Sequence, residues 1–184
     1  MEVTKKVKKA VIVIDMLEDF VYGALKNERS KRIIPQISRL LQYARKKGWL
    51  VIYSNDAHFP GDPEEKVWGV HAVAGSKGAQ VIEELKPQKG DFELPKRTYS
   101  AFHETGLDLL LRQHGVKEVI ITGQHTHICV RHTSADAFFR NYEIVVPEDG
   151  VESFMDEDHE RGLEYLKMAY KANVVKTEDI IKNR

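Results

Sequence analysis

Residues Ala10 to Ile14 read AVIVI, an unbroken apolar run that is mostly β-branched and is closed by Asp15. A strand with one wet face alternates apolar and polar residues. A continuous run of this kind belongs to a strand covered on both sides, as in a parallel sheet layered with helices. Further candidate strands follow at Trp49–Asn55, Phe92–Lys96, Val116–Thr122, Tyr142–Val146 and Asn173–Lys176. Helical patterns lie between them. Ile33, Ile34, Ile37, Leu40, Leu41 and Ala44 form a one-sided apolar stripe, and Gly48 stands where a C-cap glycine belongs. Thr105 with Asp108, and Ser153 with Asp156, have the spacing of capping boxes ahead of two further helices. The β-α alternation predicts an α/β fold with a mostly parallel sheet and right-handed crossovers.

The chain has 184 residues, a length suited to one domain, and its 42% hydrophobic content suffices for a core. Its 28 basic and 28 acidic side chains cancel, which argues against a nucleic-acid or membrane-surface partner. A single cysteine excludes an internal disulfide framework. Residues 1–9, with Lys5, Lys6, Lys8 and Lys9, are expected to form a solvated basic arm. The apolar run after them is too short for a signal peptide or a membrane span, so a cytoplasmic protein is expected. Residues 59–90 show little periodicity and are expected to form an irregular excursion that contributes to the site.

Ligands of open parallel sheets bind beyond the carboxyl ends of the strands. The residues there are Asp15 and Phe20, then Asn55-Asp56-Ala57-His58, then Lys96, then the turn from Gly123 to Cys129. Cys129 stands where a helix should begin, a position that favours a thiolate. Asp15 is placed to accept its proton and Lys96 to stabilise nearby negative charge, while backbone N–H groups of the turn offer an oxyanion hole. Each residue alone has a plainer reading: a small buried cysteine, a turn aspartate, a solvated strand-end lysine. The Asp56-x-His58 pair with His71 forms a set suited to zinc, iron(II) or manganese, with surface loop polarity as the alternative. The histidines at 125, 127 and 132 resemble a second metal cluster, but structural or substrate-facing roles explain them as well. Phe20 and Trp68 could line a pocket for a flat ring, or could simply be core. No GxGxxG occurs, and Gly75-Ser76-Lys77 does not have phosphate-loop spacing.

The stretches AVIVIDMLEDF (10–20), SNDAH (54–58), KRTYSAF (96–102) and ITGQHTHICVRHTSADA (121–137) together resemble the isochorismatase-like cysteine hydrolases, and within them the nicotinamidases. The resemblance implies a three-layer α/β/α fold around a six-stranded, mostly parallel sheet. It implies a catalytic triad of Asp15, Lys96 and Cys129 and a cis peptide at Gln124–His125. The oxyanion hole would use the backbone N–H groups of His125 and Cys129. One divalent metal, zinc first, would sit on Asp56, His58 and His71 and bind a pyridine nitrogen. Phe20, Trp68 and Gln124 would contact substrate, and a homo-oligomer would be usual. The implied activity is hydrolysis of nicotinamide to nicotinate and ammonia, since isochorismatases proper lack the cysteine. Ala57, His125 and His127 depart from the nicotinamidase pattern, which motivates a second reading, hydrolysis of another small amide or carbamoyl compound. A non-catalytic small-molecule-binding module is the third.

Overall fold

The computed structural model describes residues 9–182. All seven of its strands pair in parallel. In chain order they are β1 (Lys9–Ile14), β2 (Leu50–Ser54), β3 (Phe92–Glu93), β4 (Glu118–Gln124), β5 (Glu143–Pro147), β6 (Val151–Glu152) and β7 (Asn173–Val175). The order across the sheet is β3-β2-β1-β4-β5-β7, with β6 paired to β4 off this path. The longer helices are α2 (Ser30–Lys47), α4 (Leu107–Gln113), α5 (Cys129–Phe139) and α6 (Asp156–Tyr170), and the shorter ones are α1 (Glu18–Val21), α3 (Glu65–Trp68) and α7 (Thr177–Lys182).

Strand β1 is central, and Ala10 through Ile14 are fully buried. Its alternate side chains feed two cores. Ala10, Ile12 and Ile14 pack with Leu107 and Leu111 of α4, Val130 of α5, and Leu163 and Leu166 of α6. Val11 and Val13 pack with Ile33, Ile37, Leu40 and Leu41 of α2 and Ile180 of α7. Helices therefore cover both faces of the sheet, which gives the three layers and explains the unbroken apolar run. Helix α2 stops at Gly48, whose φ of 67° is the left-handed C-cap geometry.

Several local expectations are corrected. Lys9 is not in a solvated arm: it opens β1, and its ammonium lies 2.8 Å from Glu118 and over the Trp49 ring. Lys5, Lys6 and Lys8 lie outside the described residues. The sheet has one more strand than expected, because β6 is only two residues long and carries no apolar run. Only Phe92–Glu93 of the third run is ladder strand, since Pro95 has no N–H to donate. The pairing nevertheless continues around that proline, with Leu94 N–H on Tyr53 O at 2.8 Å and Lys96 N–H on Asn55 O at 2.9 Å. Neither capping box forms. The N-caps are Gly106 and Met155, Asp108 turns to Arg112 and Tyr142, and Ser153 hydrogen-bonds His127. Residues 59–90 contain α3 and two 3-10 turns, Lys77–Ala79 and Glu83–Leu85. Among the described residues no helix is long and apolar enough to cross a membrane.

Candidate active site

The carboxyl ends of β1, β2 and β4 and the bridge at Lys96 converge on one buried cluster. Asp15 follows β1 with a φ of 52°, a left-handed conformation rare for a residue with a side chain. Its N–H donates to Asn55 Oδ1 at 2.9 Å, its Oδ1 accepts the Asp56 N–H at 2.8 Å, and its Oδ2 lies 2.9 Å from Lys96 Nζ. Lys96 Nζ also donates to Asp56 Oδ1 at 2.5 Å and stands 3.9 Å from Cys129 Sγ. Cys129 is the first residue of α5, is 3% exposed, and its sulfur lies within 4.8 Å of a carboxylate oxygen of Asp15.

The protonation states follow from burial and from these neighbours. Burial alone would drive the Lys96 ammonium down, but Asp15 and Asp56 outweigh it and hold its pKa well above the ordinary value. Burial, reinforced by the charge of Asp56, pushes Asp15 up to about 6 against the pull of Lys96. Burial pushes the Cys129 thiol well above its usual range, and Lys96 only partly opposes it. The favour that a helix start gives a thiolate is thus opposed here by burial and by the two neighbouring carboxylates. A helix terminus contributes about 0.3–1 kcal/mol at an exposed site and up to about 2 kcal/mol where partly buried, set against the cost of burying a thiolate beside two carboxylates.

Next to this cluster, Asp56, His58, Glu64 and His71 each offer one ligand atom, all within 4.8 Å of one another and all buried. Asp56 Oδ2, His58 Nε2, Glu64 Oε1 and His71 Nε2 have no hydrogen-bond partner among the described residues. Buried polar atoms without partners are costly, and so many converging on one point are what a cation would satisfy. His71 Nδ1 lies 2.8 Å from the Gly69 carbonyl, so Nδ1 carries the proton and the Nε2 lone pair faces the cluster. Two imidazoles and two carboxylates suit zinc, iron(II) or manganese, so the residues present fit a divalent ion. Burial and the charge of Asp56 push Glu64 up to about 8 in the ion-free protein.

Both clusters border one narrow pocket. Its walls are aromatic: Phe20, Trp68, Tyr99, His125 and Phe154, with Cys129 and His71 also lining it. Phe154 stacks on His125 at 3.9 Å between ring centres and on Trp68 at 5.7 Å. Trp68 Nε1–H donates to Tyr99 Oη at 3.2 Å. Burial and the nearby His127 lower His125 to about 3, so its imidazole is neutral. Among the described residues no lysine or arginine lines this pocket. The peptide joining Gln124 to His125 is cis, and β6 pins the turn through Thr126 N–H on Glu152 O at 3.0 Å.

A family model described as the isochorismatase domain matches residues 9–179. The chain belongs to the isochorismatase family. Three solved structures of family relatives resemble it over nearly their whole lengths. N-carbamoylsarcosine amidase from Thermoplasma acidophilum is 38% identical with a TM-score of 0.88, over 93% of this chain and 97% of that one. Nicotinamidase/pyrazinamidase from Bacillus subtilis is 33% identical with a TM-score of 0.87, over 92% and 100%. Pyrazinamidase of Pyrococcus horikoshii, solved in complex with zinc, is 31% identical with a TM-score of 0.85, over 92% and 99%. Membership of this family makes the chain an isochorismatase-like hydrolase.

In this member, the structure brings Asp15, Lys96 and Cys129 together, gathers Asp56, His58 and His71 beside them, and puts Phe20 and Trp68 in the pocket wall. Gln124 is a correction. It is fully buried, its Nε2 donates to the Asp15 carbonyl at 3.0 Å and its Oε1 accepts from Ser30, so it braces the back of Asp15 instead of facing substrate. His127 and His132 hold Ser153 Oγ and the Ile128 carbonyl and take no part in the ligand cluster. Glu64, Tyr99 and Phe154 were missed. The one signal for Glu64 was that it is one of three acids, with Asp62 and Glu65, between His58 and His71.

Proposed function

We propose that the protein is a metal-containing cysteine amidohydrolase of small aromatic carboxamides, with nicotinamide the first substrate to consider. One observation carries the reading: a buried Asp15–Lys96–Cys129 cluster and a set of unpartnered ligand atoms share Asp56 and open on one aromatic-walled pocket.

In the first half-reaction Asp15 takes the Cys129 proton and the sulfur attacks the carboxamide carbon. Lys96 remains an ammonium beside the developing charge. The Cys129 N–H, at the first position of α5, has no intrahelical acceptor and serves with the His125 N–H as oxyanion donor. One such donor is worth about 2.7–4 kcal/mol. The C–N bond then breaks, Asp15 passes its proton to nitrogen, and ammonia leaves a thioester on Cys129. In the second half Asp15 takes a proton from water, the resulting hydroxide attacks the thioester, the C–S bond breaks, and the proton returns to sulfur. Asp56, His58, Glu64 and His71 would hold the metal, and a bound ion supplies a Lewis acid for a ring nitrogen. The aromatic walls bind the flat ring and exclude water.

Similarity to N-carbamoylsarcosine amidase motivates a second reading, a carbamoyl substrate. A carbamoylated amino acid carries a carboxylate, and among the described residues no lysine or arginine lines the pocket to meet it. The deciding experiment is ammonia release from nicotinamide, pyrazinamide and N-carbamoylsarcosine, each with and without zinc, manganese or iron(II). Metal-stimulated release from the aromatic amides supports the proposal. Release from the carbamoyl compound alone selects the second reading, and release from none, with Cys129 inert to iodoacetamide, selects a binding module.

A further inference from the structure

The two histidines of the ligand cluster are held by different devices. His71 leans on a backbone carbonyl, Gly69 O, which no side-chain substitution removes. His58 instead faces a side chain, with Nδ1 3.4 Å from Asp62 Oδ2. Asp62 lies outside the ligand cluster and is 3% exposed. Its Oδ2 accepts the Phe59 N–H at 2.9 Å and the Arg97 Nε–H at 3.1 Å, and its Oδ1 accepts from Arg97 Nη2. This is the two-pronged guanidinium–carboxylate geometry, the strongest of the common charged hydrogen bonds. The Phe59 ring covers the guanidinium at 4.7 Å. A carboxylate held this way only accepts hydrogen bonds. The imidazole nitrogen facing it carries a proton there, while Nε2 points into the cluster, 3.5 Å from Asp56 Oδ2 and 3.9 Å from Glu64 Oε2, so a proton held on Nδ1 by Asp62 leaves Nε2 as the nitrogen that can take an ion.

Arg97 immediately follows Lys96, and the two side chains serve different partners. Lys96 tethers Asp56, and Arg97 tethers Asp62 and through it His58. One dipeptide thus anchors two members of the ligand set.

We propose that Asp62 and Arg97 are a positioning pair that locks His58 in its Nδ1–H tautomer and thereby sets the affinity of the centre for its divalent ion. The inference rests on the reading that the cluster holds a metal. Its test needs no turnover. Zinc affinity is measured by competition with a chromophoric chelator for wild type, Asp62→Ala and Arg97→Met. In parallel, nitrogen-15 NMR reads the His58 tautomer in zinc-free protein, at a pH well above the ordinary imidazole range. The expected result is an Nδ1–H imidazole in wild type, a shift towards Nε2–H in Asp62→Ala, and zinc binding weaker by about 10–100-fold, the usual cost of losing such a partner. Asp62 also supports the turn at Phe59, so Arg97→Met, which spares that hydrogen bond, should weaken zinc binding in the same direction by a smaller factor. Unchanged zinc affinity in both variants, or an unchanged tautomer in Asp62→Ala, overturns the inference while the metal reading stands. Failure of wild type to bind zinc, manganese or iron(II) overturns both.

Discussion

In the proposed reaction Asp15 has two tasks that its surroundings make compatible. It must be ionised to take the thiol proton, and it must hold that proton long enough to hand it to nitrogen. Burial beside Asp56 pushes its pKa up to about 6, close to where both tasks run well. The sign of the pH dependence follows. Below that value the carboxyl is protonated and cannot accept, so kcat/KM for amide hydrolysis should fall as pH drops through about 6. A pH–rate profile at saturating metal checks this, and a flat acid limb would remove Asp15 as the base. Cys129→Ala should abolish ammonia release and leave the fold intact, because it removes one sulfur from a core of more than twenty buried residues. Appreciable turnover by that variant would end the covalent mechanism. Asp15 and Asp56 were legible because an apolar run announces the strand end before each, Lys96 because it closes the short run Phe92–Lys96, and Cys129 because it stands where the helix after β4 begins. Glu64, Tyr99 and Phe154 were not, since they reach the pocket from irregular backbone where spacing predicts no direction. The burial that opposes a thiolate at Cys129 was not legible, because depth is not reported by local sequence.

At the level of elements, the sheet is set by hydrophobic pattern and the site by a few close approaches. Gly123 is one of them. A Cβ there would lie 2.0 Å from the Ile14 carbonyl oxygen, and its φ of +106° is disfavoured for other residues. Gly123→Ala should push β4 from β1 at the point where both feed the active site. Reduced stability in denaturant titration and a loss of kcat are the expected outcomes, and wild-type values of both would contradict them. Ile12 is fully buried at the centre of β1, and Ile12→Ala should cost about 2–5 kcal/mol in the same titration. The long strands and α2 could be placed from periodicity and one glycine. β6 and the true helix caps could not: two residues make no pattern, and Ser153 and Asp108 had better partners elsewhere in the fold.

The molecule as a whole has unpaired polar atoms beside its catalytic cluster, so ion binding and folding should be linked. An ion at 100 times its dissociation constant adds about 2.7 kcal/mol to stability. Zinc should therefore raise the unfolding temperature, and chelation should lower it. The effect should shrink as pH falls below about 8, because Glu64 then carries a proton that the ion must displace. Thermal unfolding with and without zinc across that range checks the sign, and a zinc shift that grows towards acid would contradict it.

Asp56 gives one oxygen to Lys96 and leaves the other to the ligand cluster. A carboxylate shared in this way makes the two centres a single electrical circuit. Exchanging one ion for another changes how much electron density that carboxylate can lend to the ammonium. The change should be audible at the sulfur, as an altered rate of thiol alkylation in protein loaded with manganese or cobalt in place of zinc.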